Sequence, residues 1–199
     1  MPQLESFLRV KKENKTVRWY AMSAVYRSEL KIKAYLLDHK VECYVPMTEK
    51  EVMRKGVGKE VRIVPAVSNL IFVHSSVDVI QELKQGQPYL QYKISRKHGE
   101  LYGKKIWVKD DEMLNFKAFC DLPVKKRIEE IEEEESEIRL PLLKTGQKVQ
   151  LIKKDGQVIE GELIQLRGKR QKEFCVQAGQ YKAIAKLSEL SEFTIVDSQ

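Results

Sequence analysis

Residues 65–73 read PAVSNLIFV, Pro65 to Val73, and in a chain that is 33% charged this stretch is apolar almost without relief. Ser68 and Asn69 stand just before Leu70, Ile71, Phe72 and Val73. An apolar run of this length with no alternation is the pattern of a strand covered on both faces. The question it raises is what covers the second face.

Working outward, Val17 to Val25 (VRWYAMSAV) is rich in β-formers and predicts a first strand. In the following YRSELKIKAYLLDH, Tyr26, Leu30, Ala34 and Leu37 fall at helical spacing, which predicts a helix whose apolar stripe packs inward and whose Arg27, Lys31, Lys33 and Asp38 face outward. ECYVPM predicts a short strand. EKEVMRKGVGKEVRIVP predicts a hairpin with Lys55-Gly56-Val57-Gly58 at its tip. After the opening strand, DVIQELKQ reads as a second helix, YLQYKIS as a strand, and KDDEMLNFKAFCDL as a third helix with the acidic first turn that its dipole favours. The order of elements gives a sheet with helices packed on it, one face well covered and the other only partly.

The pattern then breaks twice. Seven glutamates crowd into Glu129 to Glu137, between Pro123 and Pro141, and such a run repels itself and buries nothing, which predicts a solvated linker. Beyond it, short alternating apolar pieces are separated by Asp155-Gly156, Arg167-Gly168-Lys169 and Ala178-Gly179, the signature of a small β-barrel. The expected organisation is an N-terminal extension over 1–16, a sheet-and-helix domain over 17–123, an acidic linker over 124–141 and a β-barrel domain over 142–199.

Charge and composition narrow the class of function. Residues 1–123 carry 22 Lys/Arg against 15 Asp/Glu, the joint 124–141 carries 4 against 7, and residues 142–199 carry 10 against 7, so two basic units flank an acidic joint. Positive charge favours a polyanionic partner without naming one. No run approaches the ~18 apolar residues of a membrane span, and the N-terminus lacks the continuous apolar region of a secretory signal, so a cytoplasmic protein is expected. Cys43, Cys120 and Cys175 are scattered and form no CxxC pair. His39, His74 and His98 lie far apart with no metal-ligand spacing, and GxxxxGK[ST], GxSxG and HExxH do not occur. Gly56-Val57-Gly58 is a turn rather than a nucleotide site, and Asp110-Asp111 is explained by helix capping. No catalytic residue, metal or cofactor is expected, and the chain reads as a binding protein.

Three stretches in order, RWYAMSAVYRSELKIKAYLLDHKVECYVPM, VRIVPAVSNLIFVHSS and VIEGELIQLRGKRQKEFCV, resemble the NusG family of transcription elongation factors. The resemblance runs from Val17 to Val196 and rests on Trp19-Tyr20, Val45-Pro46 and Asn69-Leu70-Ile71-Phe72-Val73. It is greatest to the specialised paralogues, RfaH and above all the UpxY antiterminators of capsular polysaccharide operons. It implies an α+β chain: an N-terminal NusG domain, mainly antiparallel sheet with flanking helices, and a C-terminal SH3-like β-barrel of the KOW type. It implies an answer to the opening question as well, because in this family an apolar hollow on the sheet seats the β′ clamp helices of RNA polymerase, with the β subunit as a further contact. By position, Val67, Leu70 and Phe72, with Tyr20 or Ser23, line that hollow; each is equally compatible with ordinary core. The general factor carries an aromatic-Pro-Gly-Tyr sequence where this chain has Val67-Ser68-Asn69-Leu70, which favours a paralogue over the housekeeping protein.

The resemblance further implies nucleic-acid contact, to non-template DNA or nascent RNA, by the first helix and the loop before it: Arg27, Lys31, Tyr35 and His39. A basic side chain beside an aromatic can pair with phosphate and stack a base; solvation explains the same lysines equally. In the C-terminal part Gly161 matches the KOW glycine, Arg167, Lys169 and Arg170 form a basic turn that suits RNA or solvent, and the family's KOW partners are a ribosomal protein or Rho. The expected function is antitermination, with read-through of long operons for capsular or surface polysaccharide; a housekeeping NusG and a KOW-type RNA- or ribosome-binding module stand as alternatives.

Overall fold

The computed structural model describes residues 15–54, 58–95, 103–131, 147–165 and 172–197. The chain forms two compact units that do not follow its order: Met1–Val45 with Ser68–Asp110, and Pro46–Val67 with Asp111–Gln199. In sequence, β1 (Arg18–Ala24), α1 (Glu29–Asp38) and β2 (Glu42–Tyr44) lead into a hairpin of β3 (Met47–Arg54) and β4 (Gly58–Pro65). Then come β5 (Leu70–Ser75), α2 (Val77–Gly86), β6 (Leu90–Tyr92), β7 (Ile94–Ser95), β8 (Lys104–Lys105), β9 (Trp107–Val108) and α3 (Asp110–Cys120).

The first unit is an antiparallel sheet in the order β2-β5-β1-β6, with β9 on β1. Leu70, Ile71, Phe72 and Val73 have no exposed surface, as an unbroken apolar run predicts. The helices α1 and α2 are tied by Tyr35, whose hydroxyl donates to the Leu83 carbonyl at 3.3 Å. Ser76 caps α2 by accepting from the Val79 amide, and Val77, Ile80 and Leu83 are its buried residues. YLQYKIS is divided between β6 and β7, and β8 and β9 are strands too short to show a period in sequence.

The stripe expected to bury α1 is corrected. Glu29, Ile32 and Leu36 are its buried residues, whereas Tyr26, Leu30, Ala34 and Leu37 are exposed. Both sets obey helical spacing, so periodicity fixes the helix but not which stripe turns inward; the pairing of Glu29 with the backbone of Asn69 settles that here.

The second unit contains the hairpin, α3 and the strands β10 (Lys126–Glu130), β11 (Gln147–Ile152), β12 (Val158–Ile164), β13 (Glu173–Ala178), β14 (Tyr181–Lys186) and β15 (Thr194–Asp197), which form a six-stranded antiparallel sheet in the order β10-β14-β13-β12-β11-β15. Expected as the start of a solvated linker, Lys126–Glu130 is instead a strand, because its charges find partners. Arg127 donates from both terminal nitrogens to the nearly buried Glu173 at 2.8 and 2.7 Å, and Tyr181 donates its hydroxyl to Glu130 at 3.0 Å. The rest of the glutamate run, from Glu132, lies outside the described residues, as does the hairpin tip at Lys55-Gly56-Val57. Phe119 of α3 meets Phe174 of β13 with ring centroids 5.2 Å apart. Gly161 in β12 lies beneath that contact: a Cβ there would come within 2.5 Å of the Phe174 ring and 2.7 Å of the Cys175 carbonyl oxygen.

Candidate functional site

Strand register distributes the residues expected to line one hollow. Across β1 and β5, Ser23 pairs with Leu70, Ala21 with Phe72 and Tyr20 with Val73. Side chains alternate along a strand, so Ser23, Leu70 and Phe72 share one sheet face with Trp19 and His74, and Tyr20 points to the other. Tyr20 therefore does not line a hollow with Leu70 and Phe72. Tyr20 is 4% exposed, and Leu70 and Phe72 have no exposure, so all three are buried in this conformation; Ser23 and Val67 are half-buried. Trp19 stacks on His74 at 4.8 Å, and His74 in turn lies 3.1 Å from Glu42 and 3.4 Å from Asp110.

The loop that joins β1 to α1 is built with unusual care. Tyr26 and Arg27 have φ of 61° and 55°, and facing them Asn69 has φ of 60°. Each left-handed residue with a side chain costs about 1 kcal/mol, least for Asn. Asn69 holds the loop through three hydrogen bonds: its carbonyl accepts from the Ala24 amide at 3.1 Å, its Oδ1 accepts from the Arg27 amide at 2.8 Å, and its own amide donates to the carboxylate of Glu29, which is 2% exposed. Ser28 adds a fourth tie by donating to the Val25 carbonyl at 2.6 Å. The result is that Tyr26 stands 82% exposed, edge-on to the exposed Tyr89 with centroids 5.8 Å apart.

Arg27 is exposed within this loop, and on α1 behind it Lys31 is exposed, with Tyr35 one turn further and His39 at the helix C-cap. Tyr35 is half-buried and spent structurally: besides its bond to Leu83, its hydroxyl lies so close to Gly86 that a Cβ there would come within 2.7 Å. His39 is exposed, with its Nδ1 2.8 Å from the Tyr35 carbonyl and its ring tilted over Tyr35 at 4.2 Å. Of the four expected residues, Lys31, Tyr35 and His39 follow one helix face and Arg27 stands in the loop before it; Arg27, Lys31 and His39 are exposed, and Tyr35 supports. Sequence reading missed Tyr26 and Tyr89 as presented aromatics, and missed Asn69 and Glu29 as the clamp. The one signal was an Asn before the apolar run, at a place that needs a left-handed residue. Arg167, Lys169 and Arg170 lie outside the described residues.

A row of cations beside two exposed tyrosines on a pre-set loop can bind phosphate and stack planar rings. Among the described residues no group of three or more His, Cys, Asp or Glu could hold a metal ion, and no described helix is long and apolar enough to cross a membrane. Sheet, helices and a following small β domain define an α+β protein. Residues 17–117, just over half of the 199, match the family model for NusG, described as transcription termination factor nusG. The chain belongs to the NusG family, whose members are transcription factors, not enzymes, and bind RNA polymerase. A search of curated proteins gave no match.

Proposed function

We propose that this chain is a specialised NusG-type factor of the UpxY and RfaH kind. It binds RNA polymerase in the cytoplasm and promotes read-through of long operons, those for capsular or surface polysaccharide. The observation that carries the specialised reading is the clamped loop: about 2 kcal/mol of backbone strain is maintained at Tyr26 and Arg27 although Tyr26 is 82% exposed. Strain held at an exposed aromatic beside Arg27 and Lys31 is what a pre-organised nucleic-acid reader requires. Non-template DNA exposed in the elongation complex supplies unstacked bases, and nascent RNA is the other source.

The polymerase contact belongs to the sheet face of Ser23, Leu70 and Phe72, with the β′ clamp helices as counterpart. Leu70 and Phe72 are engaged only once uncovered, which costs about 2 kcal/mol for each side chain, so polymerase must bind the uncovered state more tightly by at least that sum. The C-terminal β domain is read as a KOW domain over 142–199, following an acidic segment within 124–141, with a ribosomal protein or Rho as its partner.

Transcription by the cognate polymerase through a pause and a terminator tests the proposal, on a template with the native leader and on a generic one. Wild-type protein is expected to increase full-length product on the native leader alone, and the variant Tyr26→Ala/Arg27→Ala to lose that increase while staying folded. Equal read-through on both templates points to a housekeeping factor. No effect on either overturns the reading and leaves RNA binding by the β domain.

A further inference from the structure

A second cluster of cations and rings lies along the edge of β1 that carries β6 and β9, the edge opposite β5. On β1, Arg18, Tyr20 and Met22 share one face. Trp107 of β9 stands opposite Tyr20, and Tyr92 of β6 opposite Met22, so β9 and β6 follow one another along the same edge of β1. Arg18 lies 4.6 Å over the Trp107 ring, and Trp107 is 43% exposed. Two strand positions further on, about 7 Å along β1, the ammonium groups of Lys105 and Lys84 lie 4.5 and 5.2 Å from the centre of the Tyr92 ring.

Two features of this cluster are costly as they stand. Lys84 and Lys105 converge on one ring although they repel, and among the described residues neither is within ion-pair distance of a carboxylate. Burial and the charge of Lys84 hold the Lys105 ammonium below its ordinary pKa. Burial above all, then Tyr20 and then Asp78 in the first turn of α2, pushes the Tyr92 phenol well above its ordinary range, so it stays protonated. Its hydroxyl oxygen is buried and has no hydrogen-bond partner among the described residues, so it is a donor the fold leaves unused.

We propose that Arg18, Lys84 and Lys105, on the aromatic floor of Trp107 and Tyr92, form a second nucleic-acid site that binds the phosphate backbone independently of α1. A phosphate paired with these two ammoniums relieves their repulsion. Cations over two rings that follow one another along a strand edge suit a polymer of charges better than a single ion, and such contacts tolerate any base sequence, so the site gives affinity and register rather than sequence choice. A factor with two separate phosphate contacts can hold nucleic acid at two points at once, which raises affinity through effective concentration.

The test uses the full chain and fluorescence anisotropy with labelled 20-nucleotide DNA, single-stranded and as a duplex, over a salt series. Lys84→Gln/Lys105→Gln is expected to weaken binding at least tenfold near 0.1 M salt. It should also lower the log–log salt slope by about 1.4 on the single strand or about 1.8 on the duplex, which tells the two sources of phosphate apart. Tyr92→Phe, which keeps the ring and removes no hydrogen bond made within the described residues, is expected to stay folded and bind as the wild type does, because the cations and the ring make the site. Arg27→Ala/Lys31→Ala should leave the slope lost in the first variant intact, which separates this site from the α1 site. Unchanged binding and slope in Lys84→Gln/Lys105→Gln overturns the proposal. So does an outcome in which the site takes polyglutamate in preference to DNA and loses it with the same variant, since the surface would then serve an acidic protein.

Discussion

Gly161→Ala is expected to destabilise the C-terminal β domain through overlap alone. The added methyl would stand 2.5 Å from the Phe174 ring and 2.7 Å from the Cys175 carbonyl, about 1 Å inside comfortable contact. Neither neighbour can easily give way. Phe174 has no exposed surface and is held against Phe119, and the carbonyl belongs to the backbone of β13, whose Cys175 pairs with Glu162, the residue after Gly161. Overpacking of this kind costs about 1–3 kcal/mol, offset by under 1 kcal/mol from the stiffer unfolded chain, so a net loss of about 2 kcal/mol is expected. In a unit of about 110 residues, Pro46–Val67 with Asp111–Gln199, that lowers the melting temperature by roughly 8 °C. Gly156→Ala is the matched comparison: φ there is +84° with no other atom within 4 Å of the new methyl, so it carries backbone strain of about 1 kcal/mol and no overlap. Both tryptophans, Trp19 and Trp107, belong to the first unit, so their fluorescence does not report this domain. Amide hydrogen exchange along β12 and β13 does. If Gly161→Ala leaves those amides as protected as in the wild type, or costs less than Gly156→Ala, close packing is not what requires glycine at 161.

Cys175 supplies a prediction in pH. Burial, only partly opposed by Lys182, pushes its thiol up to about 11 from an ordinary 9. The folded state therefore holds the proton more tightly than the unfolded one, and the associated stability is complete below pH 9 and is lost as pH rises through 11, by at most about 2–3 kcal/mol. Urea midpoints read by far-UV circular dichroism should fall across that window in the wild type and flatten there in Cys175→Ala; parallel curves would refute the assignment. Asn69→Ala removes the acceptor of the Arg27 amide and leaves alanine at a φ of 60°, for an expected loss of about 2 kcal/mol by urea denaturation followed through tryptophan fluorescence, with weaker nucleic-acid binding. A change below 0.5 kcal/mol would show that the loop is not held by this residue.

The fold class was open to sequence reading because its main signals are local. VRWYAMSAV, the hairpin arms and the glycine-punctuated strands after residue 146 each form the element that their period and turn residues predict. What was not legible depends on pairing. Lys126–Glu130 looks like the head of a solvated acidic run until Arg127 is seen to meet Glu173, forty-six residues away. The α1 stripe fails for a related reason: Leu30 and Leu37 are better core residues than Glu29 by composition, but Glu29 has a backbone donor waiting at Asn69, and a buried carboxylate with a fixed partner outweighs two leucines that find none.

The opening stretch shows where such reading reaches its limit. Leu70 to Val73 are covered on both faces, which four apolar residues in a row demanded. Yet the same four residues satisfy the rule whether the chain or a partner provides the second cover, since transfer out of water is nearly indifferent to which molecule supplies the apolar surface. In this conformation Leu70 and Phe72 are already covered, so a polymerase that uses their face must replace one cover with another. The net affinity is then the difference between two burials of the same side chains, and it is set by how well the uncovered state is bound rather than by the apolar area of the strand. A conservative weakening of the existing cover should accordingly tighten polymerase binding, whereas loss of Ser23, which is half-buried beside Leu70, should weaken it; a variant set in which both move affinity in the same direction would exclude this face as the polymerase contact.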